Sequence, residues 1–208
     1  MTDTVYDMVI LGAGSGGYAA ALRGAQLGLT VALIEADKIG GTCLHRGCVP
    51  TKAILHSAET AEAVREAAAV GVRAVFQGID MPAVQKYKDG VISRMHKGLQ
   101  GLVSSRGIEV VRGWGRLIAE DTVEVDGRRY RGRNVVLASG SSSKTMGQRI
   151  SGPVMTSDQA LELDHVPASA IILGGGVIGV EFASAWASLG SQVTVIEGLP
   201  RLVPNEDE

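Results

Sequence analysis

Val5-Tyr-Asp-Met-Val-Ile-Leu-Gly12-Ala-Gly14-Ser-Gly-Gly17 is the stretch that decides how this chain folds. It opens on an almost unbroken apolar run, Val5 to Leu11, the pattern of a strand buried on both faces of a parallel sheet. Glycines at 12, 14 and 17 follow at once. Without a Cβ they permit a tight turn, close approach of the backbone to a ligand, and close packing of a helix on a strand. An Ala-rich helix, Tyr18 to Leu27, is stopped by Gly28, and Thr30-Val-Ala-Leu-Ile-Glu35 reads as a second strand. A phosphate would sit on the positive end of that helix. Glu35, ending the second strand, falls where a carboxylate accepts both hydroxyls of an adenosine ribose.

The same grammar returns from Ala170 onward, the one internal repeat in the chain. Ala170-Ile-Ile-Leu173 reads as another buried strand. Gly174, Gly176 and Gly179 form the turn, a helix runs from about 180 to 189, Gly190 stops it, and Gln192-Val-Thr-Val-Ile-Glu197 is the closing strand. Glu197 stands to Gly179 as Glu35 stands to Gly17, with the same spacing in sequence. Its charge would repel a ribose 2′-phosphate, which favours NAD over NADP. Two nucleotide sites in one chain suggest electron traffic between two cofactors. The expected fold class is α/β, with two Rossmann-like dinucleotide-binding units, the second truncated.

Between the repeats, residues from about 44 to 69 look helical. Asp80 is placed to cap a further helix with Pro82 in its first turn. Val84, Tyr87, Val91, Met95, Leu99 and Leu102 form an apolar stripe on it, and Lys86, Lys88, Arg94 and Lys97 are expected on its solvated face. Ile108–Val111, Thr122–Val125 and Arg129-Tyr130 are short strand-type runs, the last two joined by the hairpin signal Asp126-Gly127. Asn134-Val-Val-Leu-Ala138 is a further buried-type strand that runs into Ser139-Gly140.

Composition narrows the function classes. With 208 residues there is room for one large domain or two small ones. A chain 45% apolar and 20% charged has the profile of an ordinary globular protein, not of a disordered or fibrous one. No apolar run approaches the roughly 18–20 residues of a membrane helix, and no signal peptide is visible, so a cytoplasmic protein without a membrane partner is expected. A net charge of −2 gives no electrostatic argument for nucleic acid.

The chain's two cysteines lie close together in Gly40-Gly-Thr-Cys43-Leu-His-Arg-Gly-Cys48-Val-Pro-Thr-Lys52. Two buried thiols, half of a metal site, or a disulfide would each fit the bare count. A metal site wants more ligands than His45 adds, so no metal is expected. A structural disulfide closing so short a loop would stabilise little. In a regular helix the two Cα atoms would lie roughly 8–9 Å apart, beyond the ~7 Å that a bridge tolerates, so bridging needs the distorted first turn that Gly47 and Pro50 permit. A constrained bond at a helix N-terminus is easily reduced, and the reading adopted is a cycling redox disulfide.

The segment Gly40 to Lys52 resembles the active-site signature of the class I pyridine nucleotide-disulfide oxidoreductases, and within them the branch that oxidises dihydrolipoamide. The likeness runs from Tyr6-Asp7 to the end of the chain, including Gly-Gly-Gly-Val-Ile-Gly-Val-Glu181. It implies that Gly12, Gly14, Gly17 and Glu35 bind the ADP half of FAD. Gly41, Thr42 and Lys52 would contact the flavin side, with Gly115 near the adenine. Ser139 and Gly140 occupy the family's Ala-Thr-Gly element beside the FAD, with Ser in place of Thr. Cys43 would exchange with dihydrolipoamide, and Cys48 would pass electrons to the flavin. Lys52 would form an ion pair with Glu181, and Gly174, Gly176, Gly179 and Glu197 would hold NAD, the final acceptor. Partners implied are the lipoyl domain of a 2-oxo acid dehydrogenase or glycine-cleavage complex, and a second copy of the full-length parent.

Two features depart from that family. The loop Ser142-Ser-Lys-Thr-Met-Gly147 looks shortened and lacks a Pro-Gly, and the sequence of the second unit stops soon after its second strand. The expected organisation is an FAD-binding domain with the redox disulfide over 1–150 and the first part of an NAD-binding domain over 151–208, with no interface domain or its His-Glu pair. His45, His56, His96 and His165 match no such motif. Competing readings are a disulfide or mercuric reductase of the same family, with Glu197 against the NADP-dependent ones, and a catalytically inactive nucleotide-binding fragment.

Overall fold

The computed structural model describes residues 4–204, 206 and 207. In chain order the elements are β1 (Val5–Leu11), α1 (Ser15–Gln26), β2 (Val31–Glu35), α2 (Gly41–Arg46), α3 (Cys48–Glu66), a 3-10 turn (Ala67–Val70), α4 (Met81–Ser105), β3 (Glu109–Arg112), β4 (Gly115–Ala119), β5 (Thr122–Val125), β6 (Arg128–Leu137), α5 (Ser157–Ala160), β7 (Ser169–Leu173), α6 (Val177–Leu189) and β8 (Gln192–Ile196). They gather into two compact units that interleave in sequence. The first holds the chain up to Arg46 and Ile92–Lys144; the second holds Gly47–Val91 and the chain from Thr145. Helix α3, which starts at Cys48, packs its Ile54 and Ala58 with Phe182 and Trp186 of α6, inside the second unit.

In the first unit a six-stranded sheet runs in the order β3-β2-β1-β6-β5-β4. β1 pairs in parallel with both β2 and β6, and β3 extends the parallel part beside β2. Successive side chains of a strand point to opposite faces. Val9 accordingly enters one core with Ala32, Ile34 and Val123, while Ile10 enters another with Ala21, Leu33 and Val103. Burial of each large aliphatic side chain contributes about 1.5–3 kcal/mol, and β1, filled on both faces, anchors the unit.

Asp126 and Gly127 both have positive φ, 49° and 79°, and Val125 pairs with Arg128 across them. That is the two-residue turn whose twist matches a hairpin. The runs read as separate strands at Arg129-Tyr130 and Asn134–Ala138 are one strand, β6, carried through Gly132, where a Cβ would stand 2.8 Å from Asn134 O and 2.9 Å from Val9 Cγ2. β4, which had no strand signature of its own, pairs antiparallel with β5.

In the second unit β7 and β8 form a two-stranded parallel sheet with α6 packed on one face. Among the described residues, the strand expected to be buried over 170–173 is covered on that face: Ile172 packs into the core, whereas Ile171 is 70% and Leu173 56% exposed. The helix expected over 44–69 is broken at Gly47, which adopts φ −146° and ψ −113° between α2 and α3. Asp80 caps α4 as expected, accepting the Ala83 amide at 3.1 Å.

Lys88 corrects the expected solvated face of α4. It is fully buried, its Nζ donating to Leu161 O at 3.0 Å and to a Glu162 carboxylate oxygen at 2.7 Å. It follows Val84 by one helical turn and precedes Val91 by slightly less, within about 40° of the apolar stripe on a helical wheel. Lys86, Arg94 and Lys97 are exposed as expected. Gln85 joins Lys88 in holding the 161–163 backbone, its amide donating to Leu161 O at 3.0 Å and to Leu163 O at 2.8 Å.

Candidate functional site

The two glycine turns are built alike. In the first, Gly12 N–H donates to Ile34 O at 2.8 Å and Gly12 has φ +101°, a conformation L side chains rarely adopt. In the second, Gly174 N–H donates to Ile196 O at 2.8 Å with φ +102°. A Cβ at Gly17 would stand 1.8 Å from Gly12 O, and one at Gly179 2.0 Å from Gly174 O, so each third glycine lets its helix close onto its turn. The middle glycines differ from these. Gly14 and Gly176 are extended N-cap residues whose backbone any residue could adopt. A Cβ at Gly176 would meet nothing within 4 Å, and one at Gly14 only Gly41 Cα at 3.9 Å. The protein's own packing does not require glycine there, and without a side chain the helix N-terminus stays open to an approaching phosphate. Both turns thus fit the pyrophosphate of a dinucleotide.

Each turn carries its acid in the same way. Ala13 N–H donates to Glu35 Oε2 at 2.7 Å and Asp37 N–H to Oε1 at 2.9 Å. Gly175 N–H donates to Glu197 Oε2 at 2.6 Å and Leu199 N–H to Oε1 at 2.8 Å. These amides hold the Glu197 carboxyl below the usual carboxylate range, the Gly175 amide foremost. Each oxygen keeps further lone pairs, so both carboxylates can still accept ribose hydroxyls.

Other residues expected at the first site converge on the same turn. A Cβ at Gly12 would stand 2.2 Å from Ala138 O and 3.1 Å from Ser139 Cα, which places the Ser139-Gly140 segment over it. The start of α2 is joined to the turn as well: Gly40 N–H donates to Ala13 O at 2.8 Å, and a Cβ at Gly41 would stand 2.6 Å from Gly14 Cα. The helix bearing Thr42 and Cys43 is thereby fixed against the phosphate cradle. Gly115, at the start of β4, packs where a Cβ would meet Leu11 Cδ1 at 2.5 Å and Ile34 Cγ2 at 2.9 Å, at the carboxyl ends of β1 and β2.

Cys43 is half-buried on α2, and Cys48, exposed, is the first residue of α3. The chain passes from the first unit to the second at the break between them, Gly47. In the second unit the Lys52 ammonium donates to a Glu181 carboxylate oxygen, joining α3 to α6.

Several relevant residues carried no motif. His96 stands edge-on to His45 of α2, ring centres 4.9 Å apart. Burial, then the charges of His45, Lys38 and Arg112, hold its imidazole below the ordinary histidine value. His45 Nε2 lies 2.9 Å from Ile39 O, so that nitrogen carries the proton. Trp114, between Gly113 and Gly115, is 84% exposed; two glycines bracketing one tryptophan were its signal in the sequence. Among the described residues no cluster of three or more His, Cys, Asp or Glu side chains is arranged to hold a metal ion, and no helix is long and apolar enough to cross a membrane.

Two glycine turns that each fit a dinucleotide, the first joined to the helix that bears Cys43, define a protein of the nucleotide-binding class. The chain belongs to the pyridine nucleotide-disulphide oxidoreductase family, whose model matches residues 6–208, a family that uses FAD and NAD(P). It is 42% identical to the dihydrolipoyl dehydrogenase of Bacillus subtilis over 98% of its length and 46% of that protein's. It is 38% identical to the dihydrolipoyl dehydrogenase of Acholeplasma laidlawii, covering 98% of this chain and 62% of that one. Among solved structures it matches the HOCl-induced flavoprotein disulfide reductase RclA of Escherichia coli with a TM-score of 0.78 at 31% identity, covering 98% of this chain and 44% of that one. The chain spans about half the length of most of these relatives.

Proposed function

We propose that the chain carries the FAD-binding domain, the redox dithiol and the first part of the NAD-binding domain of a cytoplasmic dihydrolipoyl dehydrogenase. The observation that carries this reading is the docking of the Cys43 helix onto the first glycine turn, where a Cβ at Gly14 would meet only Gly41 Cα at 3.9 Å. FAD supplies, when bound, a two-electron carrier between thiols and nicotinamide. Gly12, Gly14, Gly17, Ser139 and Gly140 would shape its site, with Gly41 and Thr42 on the flavin side, Gly115 near the adenine and Glu35 on the ribose. Gly174, Gly176, Gly179 and Glu197 would take NAD, and the Glu197 charge disfavours a 2′-phosphate.

The chemistry assigned to the chain itself is thiol–disulfide exchange. A dihydrolipoamide thiolate attacks the oxidised pair at Cys43 Sγ, and Cys48 leaves as a thiolate. The second substrate thiol then closes the lipoamide disulfide and releases Cys43 as a thiol. Lys52, its ammonium held by Glu181, is the fixed positive charge assigned to the flavin side. The partners of this reading are a lipoyl domain and, in a protein of the relatives' length, a second copy of the chain. The likeness to RclA favours one second reading, a disulfide reductase of the same family with another substrate.

The test is spectroscopic. The chain reconstituted with FAD is mixed anaerobically with dihydrolipoamide, and the flavin's visible absorbance is followed. Bleaching that disappears in Cys43→Ser and in Cys48→Ser supports the reading. Bleaching that survives both, or an equal response to reduced glutathione, contradicts it.

A further inference from the structure

Helix α2 has six residues, too few to hold a helical course by its own hydrogen bonds, so what it touches sets its place. Leu44 is buried against Gly40, where a Cβ would stand 2.3 Å from Leu44 Cδ2. His45 makes two further contacts inside the first unit. Its Nε2–H donates to Ile39 O at 2.9 Å, and its ring meets that of His96 on α4 at 80°, centres 4.9 Å apart. His96 is itself firmly placed, since Leu99 and Val103, on the same face of α4, enter the core that holds Ile39. A short series of contacts therefore runs from that core through His96 and His45 to the helix that bears Cys43.

The surroundings of His96 suit an uncharged ring. Its Nε2 is buried and, among the described residues, has no hydrogen-bond partner. An imidazolium carries a proton on both nitrogens, so the charged ring would bury a donor without an acceptor. The charges that act on it come from His45 of α2, Lys38 of the loop before α2 and Arg112 of β3, all of them bases. Burial first, and then these bases, hold the ring below the ordinary value of 6.5.

We infer that His96 is a positioning residue for Cys43: as a neutral ring it clamps His45 and with it helix α2, and on protonation it lets the helix go. The part Cys43 plays as the exchanging thiol rests on the proposed function; the clamp itself does not. In the released state His96 meets water and regains its ordinary basicity. Each pH unit below 6.5 therefore favours release by up to about tenfold.

The test follows the two thiols separately. The reduced full chain is alkylated with iodoacetamide at pH values from about one unit above to one unit below 6.5, and the rates at Cys43 and Cys48 are read by peptide mass spectrometry. Falling thiolate slows both cysteines, and the ratio of their rates removes that shared trend. Cys43, half-buried while the clamp holds, should gain on Cys48 by about threefold or more across this interval as pH falls. His96→Phe keeps an aromatic ring that cannot be protonated, and its ratio should stay level. A merely structural His96 would offset the ratio equally at every pH. Hydrogen exchange of the wild type, corrected for the chemical rate, should show the α2 amides losing protection over the same interval while β1 keeps its own. A level ratio in the wild type, a rise that persists in His96→Phe, or unchanged α2 protection overturns the inference. A rise in a chain whose bound flavin dihydrolipoamide does not bleach overturns the proposed function and leaves the clamp standing.

Discussion

The two β-glycine-α-β units share hydrogen bonds that agree closely, from the 2.8 Å Gly12–Ile34 and Gly174–Ile196 contacts to the paired amides on Glu35 and Glu197. Their surroundings are opposite. β1 has a partner strand on each side and core on both faces; among the described residues β7 pairs with β8 and has core on one face. A phosphate cradle is therefore a local object, specified by about thirty residues of strand, turn, helix and strand. What the larger sheet adds is confinement: a Cβ at Gly12 would run into Ala138 O at 2.2 Å, and one at Gly174 would meet nothing within 4 Å.

That difference is open to direct attack. Gly12→Ala should destabilise the first unit by about 3 kcal/mol or more, since it adds a backbone collision to an unfavourable φ. Gly174→Ala should cost the second unit only the conformational part, about 1 kcal/mol. Hydrogen exchange of peptides covering β1–α1 and β7–α6 reads the two units separately; equal losses would break the distinction.

A second substitution pair tests what organises the second unit, where a buried ammonium lies in the core. Lys88→Ala should cost about 3 kcal/mol through the cavity it leaves. Lys88→Met should stay within about 1 kcal/mol of wild type, because the Glu162 side chain is mostly solvated and Gln85 still holds Leu161 O. The emission of Trp186 during urea unfolding reports both variants. A methionine as damaging as the alanine would mean that the charge, rather than the volume, holds the segment.

The smallest effect concerns the first unit's sheet. Burial, helped by Glu109 accepting its hydroxyl at 2.5 Å, pushes Tyr6 from 10.0 up to about 12. The unfolded chain releases this proton first, so folding stability should fall as pH rises from 10 to about 12 and be level with respect to this group below 10. Circular dichroism melts of Tyr6→Phe should show a shallower alkaline loss than wild type.

What could be read from the sequence follows the same line between local and non-local causes. The cradles, their acids, the Asp126-Gly127 hairpin and the Asp80 cap depend on residues close in the chain, and spacing alone reveals them. Which face of β7 is packed depends on the helix laid against it, and no pattern within Ala170–Leu173 encodes that. Lys88 looked like a surface cation because of its charge, although its position on the helix already put it among the apolar residues. The docking of α2 on the first turn rests on two glycines well separated in sequence, Gly14 and Gly41, and only the fold brings them together.

The central claim is that two locally equivalent cradles serve two different dinucleotides. Calorimetric titration of the full chain with FAD and with NADH, in wild type, Glu35→Gln and Glu197→Gln, tests it most directly. The account predicts that Glu35→Gln weakens FAD about tenfold and leaves NADH unchanged, and that Glu197→Gln does the reverse. Loss of both ligands in either variant, or of neither in both, would contradict it.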